Sequence, residues 1–149
     1  METTKEIEKR RKGDKKMDAK ESRLIKLNLT QHKVSFEQVQ EGVIDLPDPE
    51  EVRKFLTFEE LPTGEEVRRR AKALAELALA QANRIYPSPD GVKVMVGGAL
   101  YLMSPLEAEL KAYGLQPIYA FSQRISEEKE VNGEVIKTQV FKHIGFIEV

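Results

Sequence analysis

The sequence of 149 residues has the length of one domain, and 40% of its side chains are apolar and 33% charged. The charges nearly cancel, at a formal net charge of −1, so bulk charge does not predict nucleic-acid binding and we expect no duplex nucleic acid as a partner. With no cysteine and only two histidines, disulfides, thiolate metal sites and a histidine-rich metal cage are excluded, and we expect no metal or cofactor.

The first 22 residues are a highly charged segment with eight Lys/Arg and six Asp/Glu side chains. Only four of these residues are apolar, too few to offset the entropy of ordering the segment, so we expect a flexible extension to a single domain over residues 23–149. No apolar run exceeds five residues, which excludes a membrane-spanning helix. No apolar signal segment follows the basic start, so we expect a cytoplasmic protein.

The first predicted element of the domain is a strand. Ile25, Leu27 and Leu29 alternate with polar residues, which indicates a strand with one buried face. The polar residues 30–33 follow directly and therefore lie where this strand ends.

Two short helices and a second strand come next. Ser35 and Gln38 form a capping-box pattern that predicts a helix over residues 36–41. Residues 43–46 have the composition of a short strand. Asp48 precedes a proline, which predicts another helix start, because proline's missing N–H costs nothing in the first turn.

The longest predicted helix begins at Thr63, where Glu66 completes a capping pattern, and continues to Ile85 at helical spacing. Alanine is dense over residues 71–82, which permits close packing against a sheet or another helix. The apolar run over residues 92–96 is typical of a strand buried on both faces, and it ends in a pair of glycines.

The last third of the sequence predicts one more helix and three strands. Ser104 followed by proline indicates a helix start, and residues 117–121 indicate a strand that ends at residues 122–124. Asn132-Gly133 is a strong hairpin signal, and pairing across it places Glu128 opposite Lys137 and Lys129 opposite Ile136. The alternation of strands and helices predicts a three-layer α/β fold with a mainly parallel central sheet and a C-terminal β-hairpin.

Candidate functional residues follow from the strand ends, because ligands of open α/β sheets bind outside the carboxyl ends of the strands. The candidate segments are residues 28–33, 97–99 and 122–124. Gly97 and Gly98 let backbone N–H groups approach an anion, or they only form a tight turn. His32 is a candidate ligand contact because its loop follows a strand.

Two further residues have alternative interpretations. Arg124 is a candidate phosphate contact, because its planar guanidinium matches phosphate oxygens, or it forms an ion pair with Glu127 or Glu128. His143 fits a core or edge position in the terminal strand.

Several stretches of the sequence resemble a known family. They are Asn-Leu-Thr-Gln-His at 28–32, Met-Val-Gly-Gly-Ala at 95–99, Pro-Ile-Tyr-Ala-Phe-Ser-Gln-Arg at 117–124, and Phe-Lys-His-Ile-Gly-Phe at 141–146. In this order they resemble the small stand-alone CRISPR-associated proteins with a Rossmann-like, CARF-type fold, the ring nucleases of type III antiviral defence systems. The resemblance implies a homodimer that binds a cyclic oligoadenylate, such as cyclic tetra-adenylate, and cleaves it without metal. The 2′-OH of the ring would attack the adjacent phosphate while the protein supplies positioning and charge stabilisation.

The resemblance also implies roles for individual residues. His32 would orient or deprotonate the 2′-OH, and Arg124 would stabilise charge. The implied ligand-binding residues are Asn28, Thr30, Gln31, Gly97, Gly98, Ser122 and Gln123. Two other functions stay open: a nucleotide-binding sponge or sensor without turnover, and a mobile-element accessory protein with no small ligand.

Overall fold

The structure is a computed structural model that describes residues 25–149, so the predicted extension over residues 1–22 lies outside the described residues. Within the described range the chain forms five strands and four helices. In chain order they are β1 (Lys26–Leu29), α1 (Phe36–Gln40), β2 (Val43–Asp45), α2 (Pro49–Leu56), α3 (Gly64–Ile85), β3 (Lys93–Val96), α4 (Leu100–Ala112), β4 (Gln116–Val131) and β5 (Glu134–Glu148).

Side-chain caps define the starts of three helices. Ser35, Asp48 and Thr63 each accept a hydrogen bond from the backbone N–H three residues later, which satisfies a donor that the helix itself leaves unpaired. These three predicted helix starts are confirmed.

The start of α4 differs from the prediction. The sequence placed it at Ser104, whereas the helix begins at Leu100 and contains Pro105 in its interior. Pro105 has no N–H to donate to the turn before it, which weakens the helix at that point. The helix nevertheless extends toward its N-terminus, because the turn before Ser104 buries Leu102 and Met103 in the core.

The five strands form one sheet in the order β2-β1-β3-β4-β5. β1 pairs in parallel with both β2 and β3, β3 pairs in parallel with β4, and β5 is antiparallel to β4. The predicted α/β class, with a mostly parallel sheet and a C-terminal hairpin, is therefore confirmed. After β1 the chain continues to β2, toward one edge of the sheet, and after β3 it continues to β4, toward the other edge. The strand order therefore reverses between β1 and β3.

The main hydrophobic core lies on one face of the sheet. It joins alternate residues of the strands, such as Leu27 and Val94, to the buried sides of α2, α3 and α4. The opposite face carries a smaller cluster of Val43, Met95 and Ile118. Because α1 has no buried residue, the structure does not show the predicted three-layer arrangement in full, and that part stays a prediction.

β4 is much longer than the strand that the sequence predicted. The expected end at residues 122–124 is wrong, because β4 continues to Val131. The charged residues that follow Ile125 have the composition of a loop, but cross-strand contacts with β5 hold them in an extended conformation. Residues 122–124 therefore lie in the middle of a strand.

The predicted hairpin turn and register are both confirmed. Asn132 and Gly133 have φ values of 53° and 81°, as a two-residue hairpin loop with positive φ at both positions requires. In the ladder, Glu128 pairs with Lys137 and Lys129 with Ile136.

The close packing of α3 gives a stability prediction. Ala78 is fully buried, whereas Ala80 on the same helix is exposed. Leucine at position 78 must force its extra carbons into a filled core, so we expect Ala78→Leu to lower the free energy of unfolding by about 1–3 kcal/mol. Ala80→Leu is the control and should change it by less than about 0.5 kcal/mol. Urea denaturation measures both, and equal effects would contradict the packing described here.

Candidate functional site

A cavity of about 320 Å³ opens at the carboxyl ends of β1 and β3, where the strand order reverses. Its walls come from the loop after β1, the glycine pair after β3, α1 and β4. The lining residues are Thr30, Gln31, His32, Gln38, Met95, Val96, Gly97, Gly98, Tyr119 and Ala120. A smaller cavity of about 90 Å³ lies at the ends of β1 and β2 and shares Thr30, Gln31 and His32 with the first.

The side chain of Asn28 holds the loop after β1 in place. Asn28 is buried, and its Nδ2 donates to the carbonyl oxygen of His32 at 2.8 Å and to Oδ1 of Asp45 at 2.7 Å. Its Oδ1 accepts from the backbone N–H and the hydroxyl of Thr30, at 3.1 and 2.7 Å. Because all of these contacts are internal, Asn28 is a positioning residue for the loop.

Gln31 connects this loop to α2. Its Nε2 lies 3.2 Å from the carbonyl oxygen of Leu56 and 3.3 Å from the hydroxyl of Thr57. The imidazole of His32 is exposed and makes no hydrogen bond to any side chain or backbone group of residues 25–149. The loop is thus fixed from both sides while the His32 ring faces solvent.

The two glycines have different structural roles. Gly98 has a φ of +147°, which side chains rarely allow, so glycine is required there by the backbone. At Gly97 the backbone imposes no such requirement, and an added Cβ would meet only Cγ2 of Thr30, at 3.6 Å. Gly97 therefore keeps open the space beside Thr30 in the cavity wall.

The N-terminus of α4 follows the glycine pair by one residue. Its capping position is Ala99, and no side chain caps the first turn. The first backbone N–H groups of a helix have no partner within the helix, and they carry the positive end of its dipole. The start of α4 therefore offers uncapped donors to an anion beside the cavity.

Tyr119 forms part of the cavity wall, and its hydroxyl is already engaged. The hydroxyl donates to Oε2 of Glu107 at 2.6 Å. Burial and the neighbouring Glu107 carboxylate raise the pKa of Tyr119 above its usual value. The Tyr119 hydroxyl therefore stays protonated and does not serve as a base.

The structure brings together only part of the predicted site. Thr30, Gln31, His32, Gly97 and Gly98 line the cavity of about 320 Å³, and Asn28 lines the smaller one beside it. Ser122, Gln123 and Arg124 line neither, because β4 carries them past the sheet.

The two alternative interpretations of Arg124 and His143 can also be compared with the structure. The Arg124 guanidinium lies 5.3 Å from the centroid of the Phe141 ring, and no ion pair among residues 25–149 includes it. The side chain of His143 is only 5% exposed and its Nε2 lies 3.2 Å from Oε2 of Glu41, which agrees with a core or edge histidine. Neither side chain belongs to the cavity.

Sequence reasoning missed five wall residues: Gln38, Met95, Val96, Tyr119 and Ala120. Gln38 was assigned only to the cap of α1, a role that it also has, since its Oε1 accepts from the backbone N–H of Ser35.

In the described part of the chain no three His, Asp or Glu side chains are grouped to hold a metal ion. No helix among residues 25–149 has the length and apolar character to cross a membrane.

The fold and this edge define an α/β domain with a candidate ligand site at the reversal of strand order. The chain belongs to the Uncharacterized protein MJ1673 family, whose sequence model matches residues 25–147. Neither the curated proteins nor the solved structures contain a significant match to the chain. The family description states no activity.

The contacts of Asn28 give a second prediction. Asn28→Asp replaces its donor group with an oxygen that faces the His32 carbonyl and the Asp45 carboxylate. We expect a loss of about 1–3 kcal/mol in the free energy of unfolding at pH 7, because two bonds are replaced by repulsion. Protonation of the new carboxyl restores a donor, so the loss relative to wild type should shrink as pH falls toward 4. Urea denaturation at both pH values measures this, and an equal loss at both would contradict the hydrogen-bond assignment.

Proposed function

We propose that the cavity between β1 and β3 binds a nucleotide, with a phosphate at the Gly97-Gly98 turn. The observation that carries this proposal is the position of the cavity at the reversal of strand order, beside a glycine pair and an uncapped helix start. Backbone N–H groups and the helix dipole supply the attraction for phosphate oxygens.

Positive side chains beside the cavity support an anionic ligand. Lys33 and Arg53 line the smaller cavity that shares the loop after β1. The Arg53 guanidinium is paired with the carboxylate of Glu50, whereas no ion pair among residues 25–149 includes Lys33. Lys33 is therefore the side chain that we expect to move toward a bound phosphate.

The other walls suit the base of a nucleotide. Met95 of β3 and Tyr119 and Ala120 of β4 are apolar or largely apolar lining residues of the cavity, and Gln38 adds an amide. Binding sites of this kind combine apolar walls with a few placed polar groups. The nucleotide would thus lie with its base toward β4 and its phosphate toward α4.

We further propose that the nucleotide is part of a cyclic oligoadenylate, such as cyclic tetra-adenylate, and that the protein is a metal-independent ring nuclease with a Rossmann-like, CARF-type fold. A volume of about 320 Å³ lies at the lower end of small-molecule sites and suits one nucleotide unit. A ring of four would therefore contact two copies of the chain, in keeping with a homodimer. A cytoplasmic location and a CRISPR-associated role in antiviral defence belong to the same proposal.

In this proposal His32 acts on the 2′-OH, whose oxygen attacks the adjacent phosphorus. The bond from phosphorus to the 5′-oxygen of the next nucleotide breaks, which leaves a 2′,3′-cyclic phosphate and a protonated 5′-hydroxyl. Its ring is exposed on the same loop that borders the phosphate position, and it is free to orient or deprotonate a ligand hydroxyl. Arg124 lies away from the cavity, so stabilisation of the phosphate charge falls to the start of α4 and to Lys33. The distance of Arg124 from the cavity is also the observation that favours the second candidate, a nucleotide-binding sponge or sensor without turnover.

A test of binding uses the space beside Gly97. Gly97→Val fills space beside Thr30 in the cavity, and the backbone conformation at Gly97 accepts a side chain. We therefore expect a loss of at least tenfold in affinity for cyclic tetra-adenylate and for adenosine monophosphate. Gly64→Val is the control, because an added side chain there meets only the flexible end of Arg68, away from the cavity. Isothermal titration calorimetry measures both, with circular dichroism to confirm the fold. No binding by the wild type, or equal affinity in both variants, would overturn the proposal.

A test of catalysis uses His32. His32→Ala should lower the single-turnover rate of ring opening by about a hundredfold or more and change the affinity little, because a base acts mainly in the transition state. The rate should be the same with and without EDTA. Chromatography of linear products measures both effects. Binding of the ring without linear products would favour the sponge or sensor, and a requirement for magnesium or manganese would contradict the mechanism.

A further inference from the structure

β4 and β5 leave the sheet together as a two-stranded ribbon. β3 pairs with β4 only as far as Ile118, whereas β4 and β5 remain paired from there to Val131 and Glu134. We call residues 121–145 of this ribbon the arm. Among the described residues no third strand joins it. Because an isolated two-stranded hairpin is at best marginally stable in water, an arm of this length requires a further partner for one of its faces.

The two faces of the arm differ in composition. Side chains alternate between the faces of a strand, and directly paired residues share a face. One face, here called the apolar face, contains Phe121, Ile125, Val131, Ile136 and Val140. Four of these side chains are between 38% and 49% exposed, although they are large and apolar. On the opposite face Val135 and Phe141 are large and apolar, and Arg124 lies over Phe141. Ile144 lies at the register shift near the base of the arm and is assigned to neither face.

The charges on the apolar face balance one another. It carries two carboxylates, Glu127 and Glu134, and two ammonium groups, Lys129 and Lys142. Counting only the pairs on this face, Lys142 belongs to the pair just before the central pair Ile125↔Val140, and Glu127 belongs to the pair just after it. A two-fold axis at the central pair would therefore place Lys142 of one copy beside Glu127 of the other, and the reverse. Such self-complementarity is what a symmetric dimer interface requires.

We propose that two copies of this chain associate through the apolar faces of their arms, antiparallel to each other about a two-fold axis at Ile125 and Val140. The apolar side chains of both arms become buried in this arrangement, and the Lys142–Glu127 pairs set the register. A peptide that added a strand would use the edges of the ribbon instead and leave this face exposed. The inference depends on the arm alone and does not rest on nucleotide binding.

An apolar-to-acidic substitution tests which face is used. We expect the full chain to be dimeric in sedimentation equilibrium at micromolar concentration, and Val140→Asp to raise the dimer dissociation constant at least tenfold. Val135→Asp is the matched control, because Val135 belongs to the same strand and is 65% exposed on the opposite face. The dissociation constant of this control should match wild type.

Charge reversal tests the register. Lys142→Glu and Glu127→Lys should each weaken the dimer, because each places like charges side by side, and the double variant should restore it. This rescue distinguishes a broken interface from a misfolded arm. A wild-type chain that is monomeric at all concentrations, or a dimer that Val140→Asp and both single reversals leave unchanged, would overturn the proposal.

Discussion

The parallel pairing of β1 with both β2 and β3 is the constraint on which the rest of the structure depends. Leu29 and Val96 are register partners, so both strands end at the same level and Thr30 lies beside Gly97. From there the chain continues from β1 toward one edge of the sheet and from β3 toward the other edge. No crossover therefore covers the gap between them, and a cavity is left open at this edge.

Buried groups, rather than the exposed side chains of the cavity, fix its shape. Asn28 is nearly inaccessible, and leaving its amide without partners would cost about 1–3 kcal/mol, so the loop that satisfies it adopts one conformation. Gly98 has a positive φ that favours glycine, and a Cβ added there would meet the core side chains of Met103 and Leu56. With the scaffold fixed in this way, His32 and Gly97 are free to face a ligand.

Local signals in the sequence were sufficient for much of the fold. The caps at Ser35, Asp48 and Thr63 and the turn at Asn132-Gly133 depend on a few neighbouring residues, and the structure has all of them. The start of α4 was wrong because it depends on burial of Leu102 by distant parts of the chain. The length of β4 was wrong because cross-strand pairing, not composition, extends a strand whose residues are mostly charged.

The sequence predicted part of the candidate site, as it predicted part of the fold. The rule that ligands bind at strand ends brought His32 and Gly97 to one edge, and they share the cavity. It failed for Arg124 because the end of β4 had been misplaced. Gln38 and Tyr119 reach the cavity only through the way that α1 and β4 pack around it, which no local pattern records.

The most direct measurement of the central claim is a titration of ¹⁵N-labelled protein with adenosine monophosphate, followed by amide chemical shifts. The account predicts that the largest shifts fall on residues 30–33 and 97–101, the loop after β1 and the glycine pair with the start of α4. The turn at Asn132 and Gly133, far out on the hairpin, should not shift. Largest shifts outside these two segments, or none at millimolar nucleotide, would contradict a nucleotide site at the edge between β1 and β3.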